Sequence, residues 1–109
     1  MTLSMETIEV KPGSRWRSAV CESEVVVVRA PASPVTLCIG GSPVLAADAV
    51  RPAGLGIDEA LADGTTLGKR YADNVSGLEV LCIRSGAGTI TVDGRPAALR
   101  APKQLPASD

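Results

Sequence analysis

The chain has 109 residues, with eleven Lys and Arg against twelve Asp and Glu, three Cys, one Trp, one Tyr, and neither Phe nor His. Without an imidazole there is no Ser/His/Asp triad, no His-activated thiol and no His metal ligand, because no other side chain titrates unperturbed near neutrality. The balanced charge offers no clustered positive excess to nucleic acid or to an anionic membrane, and the length suits one compact domain.

In chain order, residues 1–14 form an N-terminal arm. Its opening stretch lacks the basic start and the apolar run of about seven residues or more that a signal peptide needs. No apolar run approaches the roughly 18 residues that span a bilayer, so the expected location is the cytoplasm. There, Cys21, Cys38 and Cys82 are expected to stay reduced. A first β-ribbon unit covers 15–46. Within it Glu24 to Arg29 is a strand, since four consecutive valines suit a pleated sheet and disfavour a helix. Pro31 and Pro34 bound a loop, and Val35 to Ile39 form a second strand, closed by Gly40 and Gly41 and expected to pair with the first as a hairpin.

A connector follows over 47–67, rich in Ala, Gly, Asp and Pro. Only Ile57 to Ala62 suits a helical turn, with Asp58 and Glu59 favourably placed at its start. The second unit, 68–99, repeats the pattern: a strand over Leu78 to Ile83, a Gly-rich turn over Ser85 to Gly88, a return strand over Thr89 to Val92, then the tight-turn pair Asp93-Gly94. Gly86-Ala87-Gly88 is a turn and not a phosphate loop, which needs a helix N-terminus after it. Residues 100–109, with Pro102 and Pro106, are expected to be a flexible tail.

The two units align. An offset of 55 takes Arg15 to Arg70, Trp16 to Tyr71, Val20 to Val75, Glu24 to Glu79, Val25 to Val80 and Arg29 to Arg84. After a two-residue shortening of the loop, an offset of 53 takes Thr36 to Thr89, Leu37 to Ile90, Gly41 to Gly94 and Pro43 to Pro96. Chance would match about one position in the first of these windows. The expected fold is therefore all-β: two tandem β-ribbon or hairpin units in a pseudo-two-fold arrangement, joined by a short irregular or helical connector.

The first unit, with Trp16, Ser18, Cys21, its Val-rich strand and Thr36-Leu37-Cys38-Ile39-Gly40, resembles the desulforedoxin-like, rubredoxin-type metal ribbon. In that family an aromatic residue precedes a Cys-x-x-Cys knuckle, and a second knuckle of adjacent cysteines is followed by Gly. The resemblance puts Cys21 and Cys38 on two ligand positions and leaves Ser18 and Ile39 on the others. In the second unit it implies Asp73, Ser76, Thr91 and Val92 at ligand positions, with Tyr71 at the aromatic one. Ser18, Cys21 and Cys38 are thus vestigial ligand positions, and the reading is a degenerate duplicated ribbon that has lost its metal ligands. Two thiolates, a hydroxyl and an isoleucine do not close a tetrahedral metal sphere, so no metal and no other cofactor is expected. The same resemblance makes a Cys21 to Cys38 disulfide conceivable, since two ligands of one site sit close together, but a cytosolic chain would keep it reduced.

The ligand-binding candidates are Arg15, Trp16, Arg17, Arg70, Tyr71 and Asp73. An arginine beside an aromatic suits a carboxylate or phosphate carried on an apolar body. The same arginines also suit a solvated strand edge bridged to Glu24 or Glu79. Asp48, Asp58, Glu59, Asp63, Asp73 and Asp93 include no motif pair, and Ser18 and Ser76 have no base nearby in sequence. No catalytic residue is singled out. The leading reading is a metal-free binding or accessory module for an enzyme or a small apolar anionic ligand. Its partners would be another protein or a second copy in a homo-oligomer, with no nucleic acid and no membrane. The alternative is a cofactor-independent isomerase, cyclase or decarboxylase with its site between the repeats; redox or electron transfer comes last.

Overall fold

A computed structural model describes residues 7–100. The chain is all-β, with two antiparallel sheets of six and four strands and no α-helix among the described residues. The strands are β1 (Arg15–Arg17), β2 (Glu24–Arg29), β3 (Leu37–Ile39), β4 (Ser42–Pro43), β5 (Leu45–Ala46), β6 (Arg70–Ala72), β7 (Glu79–Arg84), β8 (Ile90–Val92), β9 (Arg95–Pro96) and β10 (Ala98–Arg100). The larger sheet runs β10-β6-β7-β2-β1-β5 and the smaller β4-β3-β8-β9.

Both orders read alike from either end once strands are matched by the offsets 55 and 53. The registers agree residue by residue. Trp16 lies opposite Val25 and Tyr71 opposite Val80; Cys38 lies opposite Pro43 and Thr91 opposite Pro96. At the middle of each sheet the matched strands meet each other, with Val26 against Leu81 and Cys38 against Thr91.

The pairing within each unit corrects the expected hairpins. β2 pairs with β1 and β7, while β3 pairs with β4 and β8, so the two strands expected side by side belong to different sheets. The period of two explains why. Val25, Val27, Val80 and Cys82 turn one face of the larger sheet inward, and Leu37, Ile39, Ile90 and Val92 turn one face of the smaller sheet onto it. Stacked as two layers, these faces bury one another, which a single flat sheet could not do. Each fully buried Val or Leu contributes about 1.5–3 kcal/mol. The consecutive strands that do pair are β1–β2, β3–β4, β6–β7 and β8–β9; of these β3–β4 and β8–β9 are tight hairpins, with two-residue loops Gly40-Gly41 (φ 66° and 92°) and Asp93-Gly94 (φ 50° and 83°). Positive φ at both loop positions is the type I′ geometry that follows strand twist.

Val10, in the expected arm, is buried in the core, and Ile8 bridges Val35. Arg100, at the start of the expected tail, pairs with Arg70 in β10 beside Leu99 of the second unit; residues 101–109, like residues 1–6 of the arm, lie outside the described residues. The connector contains one 3₁₀ turn (Glu59–Leu61), capped by the Asp58 carboxylate accepting from the Ala60 N–H.

Candidate functional site

Strand alternation divides the candidate residues between two faces. Trp16 and Tyr71 point inward and pack against the core, Trp16 donating its indole N–H to Ser14 Oγ at 3.0 Å and Tyr71 accepting from the Thr66 N–H at 2.9 Å. Arg15, Arg17 and Arg70, one residue away on either side, point outward. The expected arginine–aromatic patch is therefore split through the thickness of the sheet: the residues are neighbours in sequence and back to back in space.

The outward face brings other residues together. Across the four middle strands Arg70 pairs with Leu81, Leu81 with Val26, and Val26 with Arg15, so an apolar pair is flanked by an arginine on each side. Arg15 and Arg70 thus share one face. The neighbouring registers add Arg17 beside Glu24, Arg84 beside Glu24, Arg29 beside Glu79, and Arg100 beside Arg70. Glu79, buried to 7% side-chain exposure, accepts from Arg100 at 3.2 Å and pairs with Arg70 at 3.5 Å. Arg15, Arg17, Arg70 and Arg100 against Glu24 and Glu79 make this face basic although the whole chain is not, and Arg29 and Arg84 lie at the register shifts that end the central strand pair. Sequence order hides the concentration because the four come from three strands, β1, β6 and β10.

Asp73 lies apart from that face. It is buried, accepts the Ser76 N–H at 3.0 Å, and takes a bidentate pair from Arg95 at 2.8 and 3.1 Å. The Arg95 guanidinium, ahead of the opposing effect of burial, holds this carboxyl well below the usual carboxylate range, with Ser76 adding to it. At the matching position of the first unit, buried Ser18 accepts the Val20 and Cys21 N–H groups, each at 3.0 Å. Cys21 is half-buried and burial raises its pKa, but hydrogen bonds from the Ser18 and Ser23 hydroxyls and the Ser23 and Gly88 backbone outweigh this, so the net shift is downward. Burial pushes Cys38 and Cys82 upward. None of Cys21, Cys38 and Cys82 is in a disulfide.

These positions do not suit a tetrahedral metal. Asp73 is committed to Arg95, Ile39 and Val92 offer no donor atom, and no group of three or more Cys, Asp or Glu side chains is placed to hold a metal ion among the described residues.

A second feature was not legible in sequence. On the outer face of the smaller sheet, a groove of about 600 Å³ runs over Cys38 and Thr91, between the Gly41 and Gly94 turns. The connector walls one side. Asp58 donates its N–H to Gly40 O at 2.9 Å, and a Cβ at Gly41 would come within 2.9 Å of Asp58 Cβ, so only glycine lets the 3₁₀ turn sit this close. Asp58 and Asp93 both line the groove although they are far apart in the chain.

No family model, no curated protein and no solved structure matched the chain. Its geometry is therefore the evidence for function. No helix among the described residues is long and apolar enough to cross a membrane.

Proposed function

We propose that this protein is a metal-free binding module, an accessory protein that holds an acidic protein partner against the outer face of its larger sheet. The observation that carries the reading is the row Arg70, Leu81, Val26, Arg15: an apolar centre for contact area, flanked by guanidinium groups that pair bidentately with carboxylates. The remaining arginines of the face raise the association rate for an acidic surface. Two copies of one ribbon, descended from a desulforedoxin-like unit by duplication and loss of ligands, account for the mirrored strand orders and for Ser18 and Asp73 at equivalent positions. Three cysteines outside any disulfide agree with a cytoplasmic location. The enzymatic alternative, with a site between the repeats, has less support, because Val25, Val27, Val80 and Cys82 fill the place where the central strands meet.

The test is a titration of the ¹⁵N-labelled protein with the peptide acetyl-Glu-Leu-Glu-Leu-Glu-amide. Saturable shifts at the Val26 and Leu81 amides are expected, with affinity falling about tenfold in the Arg15→Ser/Arg70→Ser double variant. Shifts confined to the other sheet, or an unchanged affinity in the double variant, would overturn the proposal.

A further inference from the structure

The groove over β3 and β8 lies on the opposite sheet from the arginine face and has the opposite charge. We infer that it binds a small organic cation, an ammonium or guanidinium group on an apolar stem. Its volume, about 600 Å³, falls within the range of ligand pockets, roughly 300–1,000 Å³. The floor is Cys38 and Thr91, each 5% exposed, with Leu61 of the 3₁₀ turn at the wall. That combination accepts an apolar body.

The charge comes from two carboxylates that are fixed in place. Asp58 is anchored by its N–H on Gly40 O and by Oδ1 accepting from Ala60; its Oδ2 lies over Gly41, 3.6 Å from where a Cβ would stand. Asp93 is held in its type I′ turn, with Oδ1 accepting the Thr36 N–H at 2.8 Å. Arg95 pairs with Asp93 Oδ2 at 3.7 Å but is engaged bidentately by Asp73 at shorter range. Two oriented carboxylates over an apolar floor favour a cation, disfavour an anion, and give a neutral ligand only the floor. The groove is one-sided. The turn at Gly41 is roofed by the connector, whereas nothing comes within 4 Å of a Cβ at Gly94, so the ligand enters from the Gly94 side.

Three probes of one shape separate the possibilities: phenethylamine, 2-phenylethanol and phenylacetate, each titrated into the ¹⁵N-labelled full chain. Phenethylamine should shift the Thr36, Gly41, Leu61 and Gly94 amides saturably and bind about tenfold more tightly than the alcohol, with phenylacetate weakest. Asp93→Asn keeps the acceptor for Thr36 and tolerates positive φ, and Asp58→Asn keeps the cap. Each should weaken the amine about fivefold and leave the alcohol unchanged. Arg15→Ser, on the other face, should not alter amine binding, which separates this inference from the arginine-face reading. Equal binding of amine and alcohol, an undiminished preference in the Asp58→Asn/Asp93→Asn double variant, or no saturable shift at these amides would overturn it.

Discussion

The turn after β1 and the turn after β6 solve one problem in two ways. In the first, a buried Ser18 hydroxyl accepts two backbone N–H groups; in the second, a buried Asp73 carboxylate accepts the Ser76 N–H. A hydroxyl caps its turn without introducing charge. A carboxylate in the same buried place requires a counter-ion, and Arg95 supplies it from the position that Ser42 occupies in the first unit. The two differences belong together: Ser18 with Ser42, Asp73 with Arg95. Substituting Asp73 without Arg95, or the reverse, leaves one charge of the pair unmatched.

A sharp way to disturb this arrangement is at Gly88, in the loop before β8, which rests on the first unit. A Cβ at Gly88 would lie 2.8 Å from Ile39 Cγ2 and 2.9 Å from the Gly40 nitrogen, so the obstacle includes backbone that does not give way easily. Gly88→Ala should destabilise by about 3 kcal/mol in urea unfolding, whereas Ser33→Ala, in the exposed loop before β3, should be close to neutral. Next comes the capping pair. Asp73→Ala should cost about 2 kcal/mol, and Ser18→Ala about 1 kcal/mol, because only the former strands a charged partner as well as an N–H group. Nearly equal losses would remove the distinction between the two turns.

The same contrast has a pH signature. The Asp73 carboxyl is held below its ordinary value of 3.8, so the unfolded chain takes up this proton before the folded one does. Its contribution is complete above the ordinary value and declines as pH falls from about 4 toward the lower folded value. Asp73→Asn should flatten that part of the acid unfolding curve, and Ser18→Ala should leave its slope unchanged. The smallest effect concerns the thiols. Cys21 is half-buried with a lowered pKa, while Cys38 and Cys82 are buried with raised ones, so iodoacetamide near neutrality should label Cys21 first. Cys21→Ser should change stability by less than about 1 kcal/mol.

Much of the fold was legible. The four valines of β2, the β-branched run of β8 and the Gly-Gly and Asp-Gly turns carry local signals that no tertiary context had to supply. The alignment at 55 and 53 likewise anticipated which registers correspond, Trp16 with Tyr71 and Cys38 with Thr91 among them. The partners of β2 and β3 were not legible, because a Val-rich strand next in sequence to another pairs with it or packs over it according to what else covers its inner face. The candidate site was legible only in part. Arg15 and Arg70 were singled out, but the apolar pair between them required the β2–β7 register, and the groove required the connector to fold back onto Gly40 and Gly41.

The sequence by itself determined an all-β chain, since β-propensity and turn chemistry act over a few residues at a time. Only the tertiary structure decided that the arginines gather on one sheet and that two aspartates gather on the other. The reason is physical: strand pairing and layer packing bring together residues from distant parts of the chain, and the side a residue faces depends on which layer buries its neighbour.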